Sequence, residues 1–290
     1  VSAGTAKRGS IYVARDGSVV AWVVAQLSDV SYTYGRIDAP IASLTVDATA
    51  LIDDAKLNTT FSAGNLPTGF RASFSEDGTS FVLSVLSSNN SDLEANAFYT
   101  EDSGATFTNV DLTSIVAPSQ GIAASDEPHL FTVLVDALNF SKWIVIHRPT
   151  AGIYTVSYTV DKGVTFKRLD TLANHGLNVS TGTTATLPIT PLISFTISNM
   201  YNGYWMWPVQ NRLAALRIND DGTVETYGFI YHAPDSLSTY YWTDFSADGL
   251  SFGVGTLSSA SEHLGSGTGS IAKYLPAAPS LNSKILADGV

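Results

Sequence analysis

The amino-acid sequence predicts an all-β fold, and three observations predict it: the composition, the turn motifs and the spacing of those motifs. Charged residues make up only 14% of the 290 residues, while Ser, Thr, Gly, Asn and Tyr are abundant. This composition is typical of short strands joined by polar turns. Motifs built on Asp and Gly recur between segments of strand-forming residues, and each of them indicates a β-hairpin.

The turn motifs come in two forms. Ser-x-Asp-Gly-x-Ser-Phe surrounds Asp77 and Asp248, and Thr-x-Asp-x-Gly-x-Thr-Phe surrounds Asp102 and Asp161. A looser relative contains Asp221. In such a turn the carboxylate accepts backbone N–H bonds, Gly supplies a positive φ, and the Ser or Thr hydroxyls complete the network. The sequence therefore predicts a structural and not a catalytic role for all five Asp residues.

The motifs recur at a nearly constant interval. Three markers show it: the aromatic residues Phe81, Trp143 and Trp205, the turn residues Asp102, Asp161 and Asp221, and the prolines Pro67, Pro128 and Pro191. Successive members of each set lie 59 to 63 residues apart. Such a period is the signature of a repeat architecture.

One repeat reads as a four-stranded meander, with strands at 70–75, 80–86, 97–101 and 106–112 and a loop at 87–95. A meander has two faces to bury, and radial stacking of such sheets buries both. We therefore expect a single β-propeller domain over residues 1–290, with about five (five to seven) four-stranded antiparallel blades. The repeat units are expected at roughly 9–64, 65–126, 127–188, 189–232 and 233–290.

The segment from Phe74 to Phe107 resembles a blade of the Asp-box (BNR) propellers, the sialidase and sortilin-like group. The resemblance implies the propeller fold. It implies little about activity, because that group includes glycosidases, sorting receptors, assembly factors and viral attachment proteins.

Charge and cysteine content exclude several classes of function. The net charge of −11 offers no basic stripe to a phosphate backbone, so nucleic acid is not an expected partner. The apolar runs are far shorter than the ~20 residues of a spanning helix, which argues against membrane insertion. The chain has no Cys, and its His residues lack metal-ligand spacing, so neither a metal nor another cofactor is expected.

A binding surface is expected at the end of the blades opposite the Asp turns. Antiparallel strands alternate in direction, so the first-to-second and third-to-fourth turns share one end, and the other end carries the second-to-third loops and the connections between blades. Four arginines are expected on or near that opposite end as candidate ligand-binding residues: Arg36, Arg71, Arg148 and Arg212.

The Asp-box resemblance gives these arginines one specific interpretation. Sialidases clamp a substrate carboxylate with an arginine cluster, since a guanidinium pairs bidentately with a planar anion. Against this, the Arg-Ile-Pro signature expected before the first Asp box is missing, and no Tyr-Glu nucleophile pair stands out. The alternative is that the arginines are solvated or ion-paired.

Asp126, Glu127 and His129 form the densest group of chemically active side chains. They are weak catalytic candidates, because two carboxylates and an imidazole could perform acid/base chemistry or hold a divalent cation. A polar turn between blades, ended by Pro128, is the favoured alternative.

Trp207 and Asp235 complete the ligand-binding candidates. Trp207 belongs to an aromatic patch with Tyr201, Tyr204 and Trp205. Aromatic rings stack on sugars, but alternation along a strand buries every second side chain, so we expect most of this patch to be core.

The composition and the absence of a convincing catalytic set favour a non-enzymatic module that acts outside a cell, with a phage tail or other virion protein as the setting. Its expected partners are a glycan or protein receptor, or neighbouring virion proteins, and the oligomeric state is left open. The alternatives are a sialidase-like or five-bladed glycoside hydrolase and a secreted lectin.

Overall fold

The structure is a computed structural model. It describes residues 7–14, 17–26, 31–38, 50–52, 67–89, 92–116, 131–150, 153–169, 200–209, 212–232, 238–245, 251–258 and 270–273. Most of these residues lie in strands, which confirms the predicted all-β class.

The strands of the described residues form five sheets in chain order. The first contains β1 (Lys7–Val13), β2 (Val19–Gln26), β3 (Ser31–Asp38) and β4 (Ala50–Ile52). The second contains β5 (Pro67–Phe74), β6 (Phe81–Asn89), β7 (Asp92–Thr100) and β8 (Thr108–Asp111), followed by the short helix α1 (Thr113–Val116). The third contains β9 (Phe131–Val135), β10 (Trp143–Thr150), β11 (Ile153–Thr159) and β12 (Lys167–Arg168).

The fourth sheet contains β13 (Met200–Tyr201), β14 (Tyr204–Val209), β15 (Arg212–Ile218) and β16 (Val224–His232). The fifth has three strands in the described part of the chain, β17 (Ser238–Phe245), β18 (Ser251–Ser258) and β19 (Ser270–Lys273). In every sheet, strands that follow one another in sequence are neighbours. The fold is therefore a β-propeller of consecutive antiparallel meanders.

The chain divides into two compact units. The first consists of residues 1–151 and 157–166, and the second of residues 152–156 and 167–290.

Within the first unit, the second sheet buries both of its faces. One core cluster joins it to the first sheet and contains Ala21, Val23, Tyr34, Phe74, Phe81, Leu83, Val85 and Phe98. A second cluster joins it to β9 and β10 and contains Val82, Leu86, Ala95, Ala97, Leu112, Val116, Val133, Val135, Trp143 and Val145. Side chains alternate between faces along a strand, so neighbours such as Phe81 and Val82 enter different clusters.

Serine hydroxyls connect the first strands of successive sheets. Ser10 Oγ accepts a hydrogen bond from the backbone N–H of Ala72 at 3.1 Å, and Ser73 Oγ accepts one from the N–H of Val135 at 3.0 Å. A first strand pairs with a partner on only one edge, so its other N–H groups need acceptors from elsewhere. These serines supply acceptors from the preceding sheet.

The prediction of a loop at 87–95 was wrong. β6 continues to Asn89 and β7 begins at Asp92, and these two residues are paired across the hairpin. The hairpins β10–β11 and β14–β15 are equally tight, with the strands separated only by residues 151–152 and 210–211. Polar residues such as Ser87 suggested a loop, but the hydrogen bonds of a ladder come from the backbone and tolerate polar side chains.

A glycine in β3 is required by a close contact. Gly35 lies directly opposite Trp22, and a Cβ built on Gly35 would overlap the Trp22 indole ring. The ring therefore lies flat across the glycine backbone, an arrangement that recurs between aromatic and glycine residues in sheets.

We expect Gly35→Ala to lower the free energy of unfolding by about 1 to 3 kcal/mol, because the added methyl group overpacks this contact. Chemical denaturation measures the change. The matched test is the double variant Trp22→Leu/Gly35→Ala, in which the smaller side chain makes room for the methyl group. If Gly35→Ala costs the same in both backgrounds, the steric explanation is wrong.

Candidate functional site

The Asp turns lie at one end of their sheets, here called the Asp-turn end, where the first-to-second and third-to-fourth turns of a sheet meet. Asp77 lies between β5 and β6, the first and second strands of its sheet. Asp102, Asp161 and Asp221 each lie between the third and fourth strands of theirs. Asp248 is outside the described residues, so its predicted role stays a prediction.

Asp102 and Asp161 make the same hydrogen bonds, and Asp102 illustrates the pattern. Its Oδ1 accepts bonds from Thr100 Oγ1 at 2.7 Å and from the N–H of Thr106 at 2.9 Å, and its Oδ2 accepts one from Thr106 Oγ1 at 2.6 Å. Thr100 Oγ1 in turn accepts the N–H of Gly104 at 3.0 Å. Asp161 repeats these bonds with Thr159 and Thr165, at 2.5, 2.9 and 2.6 Å.

The Ser-type turn closes differently around Asp77. The carboxylate accepts bonds from Ser75 Oγ at 2.6 Å, from the N–H of Thr79 at 3.0 Å and from Thr79 Oγ1 at 2.7 Å. Asp221 accepts the N–H and the hydroxyl of Thr223 at 2.9 and 2.7 Å. All four described carboxylates are thus acceptors within their own turns.

These bonds favour the charged form of the carboxylates. Burial acts to raise the pKa of Asp102, but hydrogen bonds from Thr106 and Thr100 outweigh it and lower that pKa from 3.8 to about 2. Burial also acts to raise the pKa of Asp77 and of Asp161, but hydrogen bonds outweigh it and lower both pKa values. These groups are therefore charged at neutral pH.

Two non-glycine residues adopt the left-handed conformation in these turns. Ser103 has φ of 58° and precedes Gly104 at 84°, and Lys162 has φ of 57° and precedes Gly163 at 84°. A Cβ on Gly163 would lie 2.9 Å from the Trp143 ring, so this glycine serves both the turn and the packing beneath it. Sequence reasoning found the glycines but missed Ser103 and Lys162.

In the first unit the turns are bonded to one another. Within the second sheet, the N–H of Ser103 donates to the carbonyl of Thr79 at 2.9 Å. Between the second and third sheets, the N–H of Glu76 donates to the carbonyl of Ala137 at 2.7 Å, and Lys162 Nζ lies 2.7 Å from Glu101 Oε1.

The turn motifs of the sequence did not predict the turn between β9 and β10. Asp136 is fully buried, and its Oδ1 accepts the N–H groups of Leu138 and Asn139 at 2.9 and 3.3 Å. Its Asp-Ala-Leu-Asn sequence contains no Gly, which is why the glycine-based motif did not detect it. An Asp followed by Asn between two apolar runs was the available signal.

Arg36 lies at the Asp-turn end and not at the opposite end where it was expected. The pairing of Val19 with Asp38 places this part of β3 beside the turn that joins β1 to β2. Arg36 Nε lies 2.7 Å from Asp38 Oδ1, and the arginine also contributes to the lowered pKa of Asp77, after burial and hydrogen bonds. Arg36 therefore has an ion-pair partner at the Asp-turn end.

The other arginines lie at different levels of their sheets. Arg71 is in the middle of β5, opposite Ser84, and is partly buried. Arg148 lies towards the end of β10 that is opposite the Asp turns. Within the first unit, the backbone positions of Arg36, Arg71 and Arg148 thus lie at three levels of their sheets, and their role as ligand-binding residues stays a prediction. In the second unit, Arg212 begins β15 at the end opposite the Asp turns.

The remaining predicted site residues lie outside the described residues or in β14. Asp126, Glu127, His129 and Asp235 are outside the described residues, and their roles stay predictions. Trp207 is in β14, opposite Ala214. For the rest of the aromatic patch the core prediction is confirmed, since Tyr201, Tyr204 and Trp205 are buried.

The described residues lack two further kinds of feature. They contain no group of three or more His, Asp or Glu residues arranged to hold a metal ion. They also contain no helix with the length and apolar character needed to cross a membrane.

No protein-family model and no curated protein matches this chain. Among solved structures, it is similar to the GH74 enzyme of Niastella koreensis, with a TM-score of 0.47 and 15% identity over 92% of this chain and 35% of that chain. The β-propeller domain of the Trilobed protease from Pyrococcus furiosus gives a TM-score of 0.43 and 11% identity over 93% and 70% of the two chains.

The Trypanosoma rangeli sialidase, solved in complex with sialic acid, gives a TM-score of 0.45 and 13% identity over 88% of this chain and 43% of that chain. This chain therefore spans less than half the length of the sialidase and about a third of the length of the GH74 enzyme. The four-stranded antiparallel meanders and the packing of the second sheet on both faces are the features of this chain that support the propeller fold.

Asp102→Ala and Asp161→Ala are each expected to lower the free energy of unfolding by about 1 to 2 kcal/mol, because the turn N–H and hydroxyl donors lose their acceptor. Thermal or chemical denaturation measures the loss. Glu94→Ala is the matched control, since Glu94 is an exposed carboxylate on the same sheet as Asp102, and its change should stay within about 0.5 kcal/mol. Unchanged stability in both Asp variants would contradict the structural role.

The contribution of Asp102 to stability should also depend on pH. Its pKa is lower in the folded chain than its ordinary value of 3.8, so its contribution is complete above pH 4 and is lost as the pH falls towards about 2. We expect the stability difference between the wild type and Asp102→Asn to shrink over that window in denaturant titrations at several pH values. A difference that is constant from pH 5 to pH 2 would show that ionisation of Asp102 does not stabilise the turn.

Proposed function

We propose that this chain is a non-enzymatic β-propeller module that works outside a cell or on a virion, where it mediates attachment, glycan or receptor recognition, or particle assembly. The most specific form of the proposal is a structural protein of a phage tail or other virion. Its partners would be a glycan or protein receptor, or neighbouring virion proteins.

The proposal rests mainly on one observation: the repeated Asp carboxylates are bonded within their own turns. In the described Asp turns each carboxylate accepts bonds from its own turn, and in the first unit these turns are further bonded to one another. The repeated motif therefore supports a rigid scaffold. A rigid scaffold favours recognition, because little conformational entropy is lost when a partner binds.

The recognition surface in this proposal is the end of the sheets opposite the Asp turns. Since strands alternate in direction, the chain enters and leaves each four-stranded sheet at that end. The segments 117–130 and 170–199 lie between successive sheets in the chain and outside the described residues, and they are expected at that end of their own sheets. Residues 171–199 contain no Asp, Glu, Lys or Arg. A lack of charge is typical of the centre of a protein interface.

A glycoside hydrolase is the second candidate, supported by Asp126, Glu127 and the arginines of the sequence. Such an enzyme needs two carboxyl groups on opposite sides of a bound sugar, roughly 5 to 10 Å apart. A secreted lectin is the third candidate, and it would share the attachment surface without any turnover.

A glycosidase screen that includes sialosides and arabinosides tests the non-enzymatic proposal. We expect no turnover by the wild-type chain, because its repeated carboxylates serve the turns. If turnover is found, Glu127→Gln and Arg71→Ala show whether the candidate residues carry it, with Glu94→Gln as the control at an exposed position. Turnover that either candidate variant abolishes and the control retains would overturn the proposal.

Charge insertion tests the proposed surface. Thr183→Lys lies in the uncharged segment, and Ala105→Lys adds the same charge at an exposed position of the Asp-turn end. Burial of an unpaired charge opposes association, so we expect Thr183→Lys to weaken binding on the order of tenfold and Ala105→Lys to leave it near wild type.

Reconstitution with neighbouring particle proteins and a glycan array are the two binding measurements. Binding to particle proteins supports the virion role, and binding only to glycans supports the lectin. Equal losses from both Lys variants, or a loss confined to Ala105→Lys, would show that the opposite end is not the recognition surface.

A further inference from the structure

We draw no further inference here: the strongest candidate, the apolar outer face of the first sheet formed by Ile11, Val13, Val20, Trp22 and Ile37, is an unpartnered sheet face, and nothing in the described residues shows what covers it.

Discussion

The structure of the first unit depends on the requirement that facing sheets bury apolar surface against one another. The second sheet shows this requirement most clearly, because Phe81 and Phe98 belong to the core shared with the first sheet, while Val82 and Ala97 belong to the core shared with the third. A single meander would leave both of these faces in water, at a cost of roughly 25 cal/mol for each Å² of apolar surface. Stacking on both sides removes that penalty and determines which parts of neighbouring sheets come together.

The stacking of the sheets also explains the hydrogen bonds and the ion pair between turns at the Asp-turn end. Once the sheets are packed, their turns lie close enough for Glu76 to bond to Ala137 and for Lys162 to reach Glu101. The turns must then keep a fixed shape. The carboxylate of Asp102 holds its turn in shape by accepting the backbone N–H and the hydroxyl of Thr106. The same constraint extends to the backbone, since Tyr34 donates to the carbonyl of Gly78 at 3.1 Å across the first two sheets.

Much of the fold could be predicted from the sequence because its determinants are local or periodic. The turns around Asp77, Asp102 and Asp161 contain their donors, acceptor and glycine within a few residues, so their chemistry is legible without the fold. The hairpin from Asn89 to Asp92 was not predicted, because its strand residues are polar and the ladder bonds that stabilise it are made by the backbone. Contacts such as that of Ser73 with Val135 join positions 62 residues apart, and no local pattern reveals them.

The candidate site was less predictable, and the arginines show why. A guanidinium can clamp a substrate anion or balance a nearby carboxylate, and the residue type alone does not distinguish these uses. Arg36 forms an ion pair with Asp38 and contributes to the lowered pKa of Asp77, and only the register of β3 brings that arginine to the Asp-turn end.

The hydrogen bonds of the turns also bear on catalysis, because they set the pKa of the turn carboxylates. A general acid near neutral pH needs a carboxyl group whose pKa is raised towards 7, usually by burial with few donors around it. The environments of Asp77, Asp102 and Asp161 do the opposite, because several donors bond to each carboxylate and lower its pKa. A carboxylate with a lowered pKa carries no proton to donate at pH 7, and both oxygens of Asp102 and of Asp161 accept bonds from their own turns. For Asp77, Asp102 and Asp161 the bonds of the turns therefore argue against a role as general acid at neutral pH.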